Sequence, residues 1–238
     1  MVDAKNLLIS KNNNPICNVP KLIRGSIPYD GGYLLLTLEE ASALKEQYPE
    51  LSEYIKQYGG ARELINNVWR YCLWLKDASP QLIRNNKFLK NRIEKVHQFR
   101  INSKGQSVQS KAGTPTLFGD LRQPTGKNYL MIPRHASERR RFIPIGFIDQ
   151  EVLLADSAYA LPKAQLYHFG ILTSSMHMMW VKSICGRLES RYRYSKDIVY
   201  NNFPWPENPT DKQKQTVEAE AQNVLDVRAK FPESSLAD

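Results

Sequence analysis

Apolar and polar positions alternate along this chain in ways that change character three times. After the turn signals Pro28 and Asp30-Gly31-Gly32, the apolar run Tyr33 to Leu36 reads as a strand at the end of a loop-rich start. Thr37-Leu38-Glu39-Glu40 predicts a helix start, because Thr37 can cap and Glu40 lies three residues on. A second helix is expected over about Glu50 to Gln57, ended by Gly59-Gly60. Between Ala61 and Leu75, the positions Leu64, Ile65, Val68, Trp69, Cys72 and Leu75 recur at helical spacing, but WRYCLWL (69–75) also fits a buried strand. Periodicity leaves both open. From Gln81 to Arg100 a basic helix is expected, with Leu82, Phe88, Leu89, Ile93 and Val96 inward.

From 101 to 160, glycines and prolines break the chain into short pieces, and KNYLMIP, RRFIPIGFI and EVLLA read as strands between loops. Helix returns over about Ser174 to Ser190, and a polar amphipathic helix fills about Asp211 to Lys230. The expectation is an α+β fold: a helical N-terminal half, a β-rich, loop-laden middle and C-terminal helices. Residues 1–206 form one unit and 207–238 a helical tail.

At 238 residues, with 42% hydrophobic and 24% charged positions, the chain can bury a full core and wholesale disorder is excluded. No stretch of about 18 apolar residues exists to cross a membrane, and the start MVDAKNLLISKNNN lacks a signal-peptide pattern. Cys17, Cys72 and Cys185 are widely spaced and odd in number, which suggests free thiols and a cytoplasmic location.

The net charge of +9 concerns partners rather than fold. Residues 84–141 hold fourteen bases against three acids, whereas 207–238 hold four bases against seven acids. A concentration of cations of this kind suits a phosphate-binding face. The other readings are a solvated basic surface without a partner, or a protein-interaction module docking on an acidic partner.

Signatures of catalysis are missing. No G-x-G turn follows a strand, no P-loop occurs and no His/Cys pair has zinc spacing. Asn201-Asn202-Phe203-Pro204 only faintly resembles the N-P-P-[FY] loop of amino-methylating enzymes, since it lacks the paired prolines. The chain therefore reads as non-catalytic on its own, with no metal or cofactor ligands assigned.

Two stretches could read DNA. In the first, Arg134, His135, Arg139, Arg140 and Arg141 precede an apolar strand. Arginine forks can take guanine edges or clamp phosphates, and Glu138 could accept from a cytosine amino group or hold an arginine. In a strand, at most two of the three consecutive arginines would face one partner; some could instead pair with acids elsewhere. In the second, a helix continuing past Ile184 would put Arg187 and Arg191 on one face, beside the stripe Trp180, Ile184, Leu188. Tyr192, Arg193, Tyr194, Ser195 and Lys196 would then leave it, and their alternation suits contacts to a sugar-phosphate backbone. The alternative is that these tyrosines are core and the arginines solvated. FPWP (203–206) reads as a packing corner, its prolines fixing the backbone around two large rings.

Taken together, GSIPYDGGYLLL (25–36), WRYCLWL (69–75), RRFIPIGF (140–147), FGILTSSMHMMW (169–180) and GRLESRYRYSKDIVYNNFPWP (186–206) resemble the C-terminal portion of the MmeI-like type IIL restriction–modification enzymes. The resemblance implies a target recognition domain that reads a short duplex DNA site for a methyltransferase domain of the same parent chain. The parent would methylate an adenine amino group from S-adenosylmethionine, with possible cleavage. The resemblance places base-specifying side chains in the loop-rich second half, where Ser137-Glu138-Arg139-Arg140-Arg141 falls.

Overall fold

The computed structural model describes residues 8–237. The stretch read for a leader pattern lies partly outside the described residues, as does Asp238 of the acidic tail. A short strand, β1 (Ile23–Arg24), and a tight turn lead into β2 (Leu35–Leu36) and helix α1 (Leu38–Gln47). Thr37 caps α1: its hydroxyl accepts from the Glu40 N–H, and the Glu40 carboxylate takes the Thr37 N–H.

The helix expected over Glu50–Gln57 is instead a 3₁₀ turn, Pro49–Tyr54, followed by strand β3 (Ile55–Gly59). Local propensity loses here to a ladder with a later strand. The ambiguous 61–75 segment contains both candidates: helix α2 (Ala61–Asn66), a left-handed residue at Asn67, then strand β4 (Arg70–Leu73). β3 pairs with β4 along Ile55 to Tyr58, and that pairing makes both segments strands. The single basic helix is two, α3 (Pro80–Asn85) and α4 (Lys87–Ile101). Asn86 divides them because its side chain accepts from Leu89 N–H, capping α4, while its amide donates to Glu50.

The middle of the chain carries α5 (Gln106–Gln109), then β5 (Asn128–Pro133), β6 (His135–Ala136), β7 (Gly146–Asp149), β8 (Leu153–Leu154) and β9 (Ala158–Pro162). Next come α6 (Leu166–Leu172) and α7 (Ser175–Ile184), the strands β10 (Gly186–Leu188) and β11 (Arg191–Arg193), a π-helical turn over Lys196–Tyr200, and α8 (Asp211–Ala229). The helix expected to reach Ser190 stops at Ile184, and a hairpin takes its place.

Three sheets result, ordered β1-β9-β5-β7, β2-β4-β3-β8 and β10-β11-β6. The first is buried on both faces. Leu130 and Ile132 of β5, with Tyr159 and Leu161 of β9, face a core shared with α6, α7 and the 199–205 corner. Tyr129 and Met131, with Ala158 and Ala160, face a smaller core with Leu64, Ile148 and Leu154. Burial on both sides explains why NYLMIP reads as a continuous apolar run rather than an alternation. The second sheet packs with α1 and α4 around Leu36, Leu44, Cys72, Leu89 and Val96.

Arg100 sits between these parts, 0% exposed. Its Nε donates to the Tyr29 carbonyl at 2.8 Å, Nη1 to Lys111 and Thr114, and Nη2 to Pro28 and Leu117. Five N–H groups meet five backbone carbonyls, the full donor capacity of a guanidinium. Burial lowers its pKa, and the buried Asp30 carboxylate opposes that shift. One of the fourteen cations counted towards a phosphate-binding face is thus structural.

The acidic tail is docked. Gly170 of α6 lets α8 approach so closely that a Cβ there would lie 2.7 Å from Val217. Arg228 donates to the Ile145 carbonyl and covers the Phe169 ring. Among the described residues no helix is long and apolar enough to cross a membrane, and Cys17, Cys72 and Cys185 are free thiols.

Replacing Arg100 with Met or Lys removes the donor to the Tyr29 and Leu117 carbonyls and the second donor to those of Pro28, Lys111 and Thr114. We expect each variant to lose at least ~3 kcal/mol of stability, read as a lower urea midpoint, with Lys unable to rescue because one ammonium cannot reach five carbonyls.

Candidate nucleic-acid interface

The two basic stretches, about 50 residues apart in sequence, meet in the small third sheet. β11 pairs with β6 through Tyr192↔Ala136 and Arg193↔His135, and with β10 through Leu188↔Arg191, Arg187↔Tyr192 and Gly186↔Arg193. Side chains alternate across a strand and directly opposed residues share a face. Arg191, Arg193, His135 and Leu188 therefore lie on one face, and Tyr192, Ala136 and Arg187 on the other.

The register sorts the expected contacts. Arg191 and Arg193 are exposed while Tyr192 between them is buried. Tyr194 is buried too, its hydroxyl 3.1 Å from His177 Nε2. Both tyrosines belong to the main core, so they hold the hairpin rather than offer rings or hydroxyls to a backbone. The shared helical face expected for Arg187 and Arg191 does not exist, because the chain is in strands there. Arg187 stacks its guanidinium on the Tyr192 ring, 3.9 Å from its centroid, and donates to the Ser190 carbonyl. Arg191 reaches Glu189 at 2.6 Å, and Lys196 lies 3.6 Å from Asp197. The turn joining the strands is Glu189-Ser190, with Glu189 at φ 56°, the left-handed conformation that short hairpin loops require.

The 137–141 arginines are in a loop, not the strand expected for RRFIPIGFI, which begins only at Gly146. A loop releases them from strand alternation, and the three diverge. Arg139 is 91% exposed on its side chain. Arg141 is exposed above the Phe142 ring. Arg140 turns back and donates to the Leu236 carbonyl near the C-terminus. Ser137 supports the loop by accepting the Arg139 N–H. The Glu138 carboxyl is held below its usual pKa by its own backbone N–H, then by the Ser190 hydroxyl, Arg139 and Arg187. That set places the loop beside the hairpin turn. Arg134 is half-buried: it donates to the Asp156 carbonyl and covers Tyr159, and Asp156 also pairs with Arg24 at 2.9 Å.

Sequence reasoning did not single out Asp156, which secures Arg134, or the Leu188–Ser190 hairpin tip. The signal for the hairpin was present: R-Y-R-Y alternates with the period of a strand whose one face is buried. Below the hairpin, Asn201 donates to Asn12 O and Asn202 to Ser10 O, while Phe203 and Trp205 are buried. NNFPW is thus a packing corner whose amides bind the chain's own backbone.

His135, at the centre of the arginines, is held below its usual pKa by burial, then by Arg134, Arg193 and Arg191. It is neutral at physiological pH, and the cationic character of the patch comes from arginine. The basic helix α4 packs on the second core cluster through Leu89 and Val96, whereas Ala136 and Ile143, flanking the 137–141 arginines, belong to the first. The strand–glycine–glycine–helix turn at β3–α2 does not fit S-adenosylmethionine. A Cβ at Gly59 would strike Trp69, one at Gly60 would strike Ser157, and the Gly60 N–H is taken by Glu63.

Fold and patch together define an α+β domain presenting an arginine-bearing ribbon and loop. The chain belongs to the MmeI target recognition domain family: residues 3–207 match the model for "MmeI, target recognition domain" and residues 209–238 that for "MmeI, C-terminal domain". It is 39% identical over 229 residues to DNA methyltransferase A of Bacillus subtilis (strain 168), covering 96% of this chain and 26% of that protein. It is also similar to a solved structure of the type IIL restriction–modification enzyme MmeI in complex with DNA. There the TM-score is 0.94 at 40% identity, covering 99% of this chain and 31% of that one. The chain thus spans about a quarter to a third of these relatives.

His177, beneath the hairpin, has its pKa pushed down to about 4 by burial, against an opposing hydrogen bond with the Leu172 backbone. The unfolded chain, titrating near 6.5, binds the proton more readily. Stability should hold above pH 6.5 and fall by up to roughly 3 kcal/mol between pH 6.5 and 4. In denaturant titrations, His177→Gln should flatten that pH dependence. Tyr194→Phe should cost about 1–2 kcal/mol of stability while leaving the salt dependence of DNA binding unchanged.

Proposed function

We propose that this chain is the duplex-reading part of a type II restriction–modification adenine DNA methyltransferase. The observation that carries the proposal is the β6–β11 pairing, which joins Arg139 and Arg141 of the loop to Arg191 and Arg193 of the ribbon. Cations gathered on a projecting edge can neutralise phosphates while their neighbours reach base edges. Membership of a target recognition family and the likeness to a DNA-bound relative support the same reading.

In this reading the residues divide by freedom. Arg139 and Arg141, free of tight partners, contact bases, with Glu138 able to accept from a cytosine amino group. Arg187, Arg191, Arg193 and Lys196 meet phosphates. Arg134, Arg140, Tyr192 and Tyr194 shape the platform. A methyltransferase domain of the parent chain would supply the other wall of the cleft. S-adenosylmethionine, bound by that domain, would supply the methyl group for an adenine amino nitrogen; this chain's part is to bind and orient the duplex. The parent would work in the cytoplasm, where three free thiols persist.

The test is duplex binding over a salt series. Arg191→Ala and Arg193→Ala should each weaken all sequences alike and reduce the log–log salt slope by about 0.9. Arg139→Ala and Arg141→Ala should relax preference at particular base pairs, by about 1–3 kcal/mol each. Heparin or an acidic peptide competing as well as DNA would overturn the proposal in favour of an acidic protein partner.

A further inference from the structure

Arg100 closes its whole donor set on carbonyls, but two other half-buried arginines do not. Arg140 gives one Nη1 hydrogen to the Leu236 carbonyl, and Arg228 gives one to the Ile145 carbonyl. Neither makes a further hydrogen bond or an ion pair among the described residues. One face of the Arg228 guanidinium lies over the Phe169 ring, and burial lowers its pKa with no carboxylate opposing the shift. Withdrawing a cation from water without a counter-charge is unfavourable. Elsewhere the surface arginines are offset: Arg24 has Asp156 and Arg191 has Glu189.

Both guanidiniums line one open cavity of about 490 Å³. The loop before β7 forms one wall, and the end of α8 with the segment at Leu236 forms the other. Arg139 and Arg141 stand at the same cavity, Ser137 adds a hydroxyl, and no lining group among the described residues is acidic. Four guanidiniums around one space repel one another until an anion enters. Each planar fork matches two oxygens of an oxyanion. A carboxylate has two oxygens and suits a single fork, whereas a phosphate directs acceptors towards both walls at once. We propose that the 137–144 loop and α8 form a site for one phosphate group, clamped between Arg140 and Arg228. The carbonyl held by each arginine positions it beforehand, so little side-chain entropy is lost on binding. Arg228 lies in the segment that matches the family's C-terminal domain, so the clamp spans both matched segments. In the duplex-reading function proposed above, on which this source rests, the group is a backbone phosphate; the same chemistry is offered by free phosphate.

The experiment has two arms, both on the 238-residue chain, Arg228→Gln and Arg140→Gln. In the first, urea unfolding is followed as inorganic phosphate replaces chloride at fixed ionic strength. The wild-type midpoint should rise, since a ligand of the folded state stabilises it, and should rise less in each variant; the general salting effect of phosphate is common to all three. In the second, duplex binding is measured over a salt series. Loss of a backbone contact should lower the log–log slope by about 0.9 in Arg228→Gln, while Arg228→Lys, which keeps the charge, should retain it. Glutamine keeps a donor for the carbonyl in each case, and Arg140→Gln carries the test if Arg228→Gln folds poorly. A lower slope, with or without a weaker phosphate response, supports the site with the duplex backbone as its source. A weaker phosphate response at an unchanged slope supports it with a free phosphate compound as the ligand. Variants that match the wild type in both arms overturn the inference and leave the duplex-reading function intact. A wild type that binds no duplex but keeps its variant-sensitive phosphate response overturns that function and not the site.

Discussion

A single buried guanidinium sets the geometry on which the other parts depend. Arg100 gives all five N–H groups to carbonyls of Pro28, Tyr29, Lys111, Thr114 and Leu117. Removing such a charge from water costs several kcal/mol, and only a complete set of acceptors offsets it. The Pro28, Lys111 and Thr114 carbonyls also accept a backbone N–H each, from Gly119, Thr114 and Leu117, and the arginine adds a second donor to these and one to Tyr29 and Leu117. The result ties the 28–29 turn and the 111–117 loop to the end of α4. From there the seam continues: Ile27 bridges Asp120, the Ser26 hydroxyl accepts from Arg122 N–H and Gln123, and Gln123 accepts the Leu154 N–H. Those contacts join the second sheet to the strands of the first.

The same economy governs the arginines of the interface. Arg134 is fixed by Asp156, Arg140 by the Leu236 carbonyl and Arg187 by the Tyr192 ring, while Arg139, Arg141 and Arg193 extend into solvent. In the proposed reading, a duplex would meet cations that are pre-positioned at some sites and adaptable at others. Fixed side chains lose little entropy on binding, and loose ones can adjust to base edges. Beneath them Tyr192 and Tyr194 enter the main core, where Tyr194 meets His177 of α7, so that helix backs the hairpin.

How much could be read from the chain differs by element. Thr37-x-x-Glu40 carries its own capping chemistry, so α1 was visible locally, and so was the long polar helix α8. The apolar run in NYLMIP and the FPWP corner were legible because burial on all sides, or proline-locked backbone, leaves a local mark. Ile55–Gln57 was read as the end of a helix, since its strand character comes from pairing with Arg70–Leu73 and from nothing inside the segment. Arg187 and Arg191 fitted a helix by spacing, but the partner strand at His135–Ala136 lies about 50 residues away, and no local pattern reports it.

The sequence by itself determined the fold class, the surplus of positive charge and the family to which the chain belongs. Those properties depend on which side chains are present and on short-range periodicity. Tertiary structure alone decided which cations are surface and which are scaffold. Arg100 and Arg193 are chemically identical, and only the carbonyls that close around one and the solvent left around the other make the first a strut and the second an exposed cation.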